Sequence, residues 1–145
     1  MIESLATAGS IPALEMTLKF AGARQRVIAH NIANIDTPGF QPKDADPVDF
    51  QRLLGEAVEA RRGRNGGTSG SLQWEGSRQI KRGPGGSLRL EPQTPSGNVL
   101  FHDRNSRDLE RSMQDLVENA GMYRIASDLL RSRFQIIQAA IAERV

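Results

Sequence analysis

Between Leu109 and Ile141 the chain keeps one spacing: Leu109, Met113, Leu116, Ala120, Tyr123, Ser127, Leu130, Phe134, Ile137 and Ile141 follow in steps of four and three. Interrupted only by the hydroxyl of Ser127, this is a sustained heptad seam. A continuous helix from Asp108 to Arg144 would reach about 55 Å at about 1.5 Å per residue. Such a stripe needs a second surface to cover it. Burying its larger side chains yields roughly 1.5–3 kcal/mol each, while each ordered backbone residue costs about 1–2 kcal/mol. One helix against one partner is therefore marginal, and a further layer from neighbouring subunits is expected.

A partner helix is legible at the other end. Leu14, Leu18, Ala21, Gln25, Ile28, Ile32 and Ile35 carry the same spacing, and Pro12 suits a first turn. The pair predicts a mainly α fold, in which long N- and C-terminal helices pack as a coiled-coil-like layer around a Gly-rich insert that is partly disordered or forms a small β element. The expected bounds are a mobile tail over 1–11, a helix over 12–36, a turn, extended and Gly-rich middle over 37–104, and a helix over 105–145. All belong to one structural unit. Asn105 or Ser106 is placed to cap the last helix, with Asp108 and Glu110 near its positive end. Apolar residues make up 38% of the chain, which argues against one large globular core.

The middle from Gly63 to Gly97 reads as linker chemistry. Arg62 to Ser71 and Lys81 to Ser87 are rich in Gly and low in apolar residues, hence flexible. Leu72 and Trp74, Ile80, and Leu88 and Leu90 show a weak period of two, so a small hairpin is expected, marginal by itself. Trp74 is expected to be exposed in a monomer and to anchor this segment on a partner after assembly. Phe50 to Leu54, after Pro47, reads as a short amphipathic turn.

Chemistry of other kinds is poorly served. The net charge is only +2, and the basic excess near Arg61, Arg62, Arg64, Arg78, Lys81, Arg82 and Arg89 lacks the interleaved aromatics of a nucleic-acid platform. His30 and His102 have no metal-binding spacing, and cysteine is absent, so neither metal nor cofactor is expected. No nucleophile has a recognisable base beside it, which argues against an enzyme. There is no apolar run long enough to span a bilayer. Met1 to Gly9 has neither a basic region nor a sustained apolar run, so no cleavable signal is expected.

The N-terminal stripe stops at a turn. Thr37 precedes a proline and is pushed out of the α region. Pro38 and Gly39 suit the two central positions of a type II turn, and Asn34 can close the helix through αL or through a side-chain bond to the backbone. The longer string from His30 to Phe40 resembles the N-terminal motif of the flagellar rod, hook and filament-like axial proteins, at Asn31, Ala33, Asn34, Thr37, Pro38, Gly39 and the aromatic Phe40. The resemblance spans roughly residues 12–55 and 98–142, including Glu118, Asn119, Tyr123, Leu129, Leu130 and Phe134. Arg107 departs from it, since an apolar residue more often opens the last helix. The short chain and the uninterrupted Thr37-Pro38-Gly39-Phe40 are similar to the short, proximal members of the rod.

That resemblance implies a structural subunit of the proximal rod, assembling through Leu14, Leu18, Ile28, Ile32 and the C-terminal seam into the hollow axle that transmits torque. Implied partners are the chain itself, other rod proteins, the rod-to-membrane-ring adaptor and the flagellar export apparatus. The implied location is the rod crossing the periplasm, reached uncleaved through the flagellar type III system. Phe50 and Leu54 have the Phe-x-x-x-hydrophobic spacing of the family's export-gate element. Two other readings rest on the same residues: a stand-alone coiled-coil adaptor, and a basic nucleic-acid binder working through the middle.

Overall fold

The computed structural model describes residues 8–94 and 109–142. Its elements in order are α1 (Ile11–Ala33), α2 (Pro47–Asn65), β1 (Ile80–Arg82), β2 (Leu88–Leu90) and α3 (Leu109–Ala142). The mainly α architecture with long terminal helices packed together and a small β insert is what the two stripes predict.

The first helix has two working faces. On one side α1 meets α3 antiparallel: the Asn119 amide reaches the Ala21 carbonyl and the Gln25 side chain at 2.9 and 2.7 Å. Leu14 and Thr17 share a groove with Met122, Ile125, Ala126 and Leu129 further along. On the other side Met16 and Phe20 enter a core built with Ala45, Phe50, Leu53, Ala57, Leu72, Trp74 and Ile80. Phe20 stacks on Phe50 with ring centroids 4.0 Å apart and planes 4° from parallel.

Local chemistry explains α2. Asp46 accepts a hydrogen bond from the Val48 amide at 2.8 Å, and Pro47 fills the first position, which needs no amide donor. Asp49 lies in the first turn, and Arg62 and Arg64 lie in the last, complementing the helix dipole. Gly66, at φ 66°, closes the helix by donating its N–H to the Arg62 carbonyl. Phe50, Leu53, Ala57 and Arg61 form its buried stripe.

The hairpin pairs Ile80 with Leu90, Lys81 with Arg89 and Arg82 with Leu88. Ile80 is fully buried, and β2 lies against α1. Asp44 and Gln93 exchange backbone hydrogen bonds at 2.9 and 3.0 Å, so the chain leaving the first turn is stitched to the chain leaving the hairpin.

Several expectations need correction. The first helix ends at Ala33 rather than at 36, because Asn34 takes φ −108° and ψ 11° and turn begins there. Residues 8–11 are not a loose tail: Gly9 donates to the Thr68 carbonyl and accepts from Arg61, and Ile11 is buried. The turn expected after Pro47 is a helix of 19 residues, because its apolar positions repeat through Val58 before the glycines begin. Trp74 is 8% exposed within the core, not free in water. The proposed caps Asn105 and Ser106, and Arg107 and His102, lie outside the described residues.

Candidate assembly surface and the turn that frames it

The turn motif works as a clasp. Asn31, half-buried near the end of α1, bonds both backbone groups of Lys43: its Nδ2 donates to the carbonyl at 2.6 Å and its Oδ1 accepts from the amide at 3.1 Å. An asparagine amide thereby imitates a strand neighbour and draws the returning chain onto the helix. Asn34 closes α1 by the second of the two routes, donating from its side chain to the His30 carbonyl at 2.8 Å. Thr37 donates its amide to the Asn34 carbonyl, and the Phe40 amide reaches the Thr37 carbonyl at 3.1 Å. Gly39 holds φ 75°, as a type II turn requires. Phe40 then returns to pack edge-on against His30, centroids 5.5 Å apart. Ala33, Thr37, Pro38 and Gly39 are exposed.

Beside this clasp sits a buried cation that the sequence reading missed. Arg24, 3% exposed, donates to Asp44 at 3.2 and 3.3 Å, to the Ala45 carbonyl at 3.1 Å and to Asp115 at 3.2 Å. One guanidinium thus joins α1, the segment after the turn, and α3. Burial alone would lower its pKa, but the two carboxylates outweigh it and hold the group above its ordinary value. The available signal was its position: an arginine between Ala21 and Ile28 in an apolar stretch calls for paired acids. Asn119 was likewise overlooked as a seam residue, though it is 1% exposed.

The seam residues divide. Ile28 is buried, and Leu14, Leu18, Ile32, Leu116, Leu130 and Ile137 are half-buried. Leu109, Met113, Tyr123, Phe134 and Ile141 stay exposed, at 42 to 53%. The intrachain contact of α3 is centred instead on Asn119 and Ala126, rotated by roughly 60° from the heptad line at about 100° per residue. On the opposite flank Ile125, Leu129 and Ile136 are also exposed. Past Leu130 every described residue of α3 except Ile137 is exposed. Helix α3 therefore covers α1 along one strip and offers apolar side chains on both sides of it.

The expected export element is placed differently. Phe50 is 1% exposed and Leu54 packs against the same core. Among the described residues no cluster of acids and histidines gathers to hold a metal ion, and no helix is long and apolar enough to cross a membrane.

Comparison with known proteins bears on this surface. The family profile described as "Flagella basal body rod protein" matches residues 16–41, from Met16 on α1 through the whole turn motif. The flagellar basal body rod protein FlgB of Yersinia enterocolitica is 31% identical over 122 residues, 79% of this chain and 80% of that protein. The chain belongs to the FlgB family of flagellar basal-body rod proteins. FlgB of Salmonella typhimurium is 27% identical over 118 residues, 81% of this chain and 82% of its own length. FlgB of Bacillus subtilis reaches 50% identity over a shorter stretch of 46 residues, 32% of this chain and 33% of its own. Within this FlgB-family chain the matched profile thus coincides with the Asn31 clasp and with Arg24, the two features that fix how α1, the turn and α3 meet.

Proposed function

We propose that the chain is a structural subunit of the flagellar rod that enters it through α1 and α3, forming part of the hollow axle that transmits torque. The observation that carries this reading is the double apolar flank of α3. A helix in a closed adaptor needs one covered seam. A helix in an open assembly must meet a neighbour on each side, through patches that are not self-complementary. Family membership supports a place in the basal-body rod and a structural rather than an enzymatic role. Passage through the periplasm, export without cleavage by the flagellar type III apparatus, and contacts with other rod proteins and with the rod-to-membrane-ring adaptor complete the proposal. Phe50 and Leu54 can serve an export gate only in an unfolded chain, since the folded one buries Phe50.

Phe134→Asp is the discriminating variant. Phe134 is 42% exposed and lies beyond the α1 contact, so the monomer should fold with its stability changed by less than about 0.5 kcal/mol. A charge at a buried intersubunit seam costs several kcal/mol. Cells carrying this variant should therefore lack rods and motility while the purified monomer keeps its helical circular dichroism. Normal rods in those cells would overturn the proposal.

A further inference from the structure

We propose that the groove between α1, the start of α2 and α3 is filled in the assembly by the C-terminal part of α3 from a second copy of this chain, with Phe134 of that copy over Gly121 and its Arg131 beside Glu118. The inference rests on the rod reading above and names the neighbour on that side. The groove holds about 560 Å³ and is lined by Leu14, Pro47, Gly121, Met122 and Ile125 among others. Gly121 is exposed in the middle of α3, and nothing outside its own stretch of helix lies within 4 Å of the place where a Cβ would stand. Glycine inside a helix is less stable than alanine, so the isolated fold loses stability there without using the space. Close approach by another chain uses it.

Charge and hydrogen bonding select the occupant. Glu118, on the groove, accepts from the Gln114 amide at 2.9 Å but meets no cation among the described residues. The Oδ1 of Asn119 beside it is buried without a hydrogen-bond partner. Arg24 also lines the groove, but Asp44 and Asp115 already hold it. What the groove lacks is a donor-rich cation next to a large apolar side chain. The same helix carries that combination on its other flank: Arg131 and Phe134, three apart and so on one face, are both exposed, and no ion pair reaches Arg131 among the described residues. Residues 131–142 contain Arg131 and Arg133 and no acid. A guanidinium has five N–H donors, enough for the Glu118 carboxylate and the Asn119 oxygen together. Within one molecule Arg131 cannot serve them, because about 20 Å of helix separates it from Glu118 at about 1.5 Å per residue. Both halves of the contact thus lie unused on every copy, and a copy displaced along the helix axis by roughly ten residues, or about 15 Å, brings them together. The two flanks differ, so the contact repeats head to tail without closing.

Reversing the charges tests the pair. Glu118→Arg or Arg131→Glu alone should reduce the chain recovered in purified basal bodies by about tenfold or more, as expected for charge reversal at an interface. The two together should restore recovery to within about twofold of the parent. Only a contact between copies of one chain gives that rescue. If either side met a different protein, the double variant would be at least as defective as the worse single one. Both side chains are exposed, so the monomers' melting midpoints should stay within about 2 °C of the parent's. Gly121→Leu separates the fold from the contact: it should raise the monomer's midpoint by about 2–4 °C while lowering recovery in basal bodies by about tenfold or more. Single reversals without effect, a double reversal that recovers nothing, or normal recovery of Gly121→Leu would each overturn the inference, and with the parent chain present in basal bodies the rod reading would stand. Absence of the parent chain from basal bodies would instead refute the rod reading, and this contact with it.

Discussion

Gly39 holds φ 75° with nothing beyond its own chain neighbours within 4 Å of the place where a Cβ would stand, so a substitution there meets backbone strain rather than a clash with another part of the fold. Gly39→Val should cost about 1–3 kcal/mol. Gly39→Asn, whose side chain tolerates the left-handed region, should recover most of it. Urea midpoints of the three proteins check this, and equal midpoints would show that the turn relaxes freely. The Arg24 cluster answers to a different rule. Arg24→Met removes the bonds to the Ala45 carbonyl and to the part-exposed Asp44 and Asp115, and should lower the urea midpoint by the equivalent of about 1–3 kcal/mol. Asp49 offers a pH-dependent test. The Ser77 hydroxyl, then Arg52, donates to its carboxylate and holds its pKa below the ordinary value. A carboxylate depressed in the folded state adds stability above its unfolded pKa of about 3.9 and loses it as pH falls through the folded value. Asp49→Asn should therefore be less stable than the parent by about 1 kcal/mol at neutral pH, with the gap closing below about pH 4. A gap that stays constant into acid would rule out the carboxylate as its source.

At the scale of elements, the middle of the chain is the surprise. The terminal stripes were legible because four-and-three spacing over many turns has no competing explanation, and the turn was legible because Pro38 and Gly39 restrict φ so strongly. Helix α2 was harder to see. Its stripe of Phe50, Leu53, Leu54, Ala57 and Val58 is short, charged residues fill the positions between, and glycines follow at once. The Asp46-Pro47 start was a usable signal for a cap and first turn. The face of α3 was ambiguous for the opposite reason: apolar residues occupy so much of its circumference that the heptad line and the strip actually covered by α1 differ. Trp74 could not be placed from sequence, because its burial depends on Phe50, Leu53 and Ile80 arriving from separate elements. Its position makes an optical prediction. Tryptophan emission should already be blue-shifted and protected from iodide in the dilute monomer, and Ile80→Ala, which opens a cavity in the same core, should lower stability by about 2–5 kcal/mol while moving the emission towards that of water. Water-like emission from the parent monomer would show that this core does not form in isolation.

The whole molecule is built around α1, with unequal layers on its two sides. On one side Phe20, Phe50, Leu53, Trp74 and Ile80 make an interlocked apolar core. On the other, α3 fully buries only Asn119 and Ala126 among its described residues, and the Asn119 Oδ1 has no hydrogen-bond partner there. An unsatisfied buried oxygen costs about 1–3 kcal/mol, so the α1–α3 contact carries a penalty at its centre that the other layer lacks. The 34 residues of α3 span about 51 Å at about 1.5 Å per residue, yet the last three turns or so reach past the start of α1 without cover. Such a layer belongs to the low-stability end of the molecule, where local opening precedes global unfolding. For a rod subunit this division has a use: the α1–α2–hairpin core can persist while α3 settles against successive neighbours. The isolated monomer should consequently unfold in two steps under urea. Helical circular dichroism, which weights the long α3, should begin to fall before Trp74 fluorescence reports loss of the core, and amides of residues 112–130 should exchange faster than those of residues 50–61. Asn119→Leu, which replaces the half-satisfied amide with an apolar side chain, should bring the two transitions closer together. Coincident transitions in the parent protein, with equal exchange in the two helices, would show instead that α3 is an integral part of one cooperative unit and that assembly adds neighbours to a finished fold.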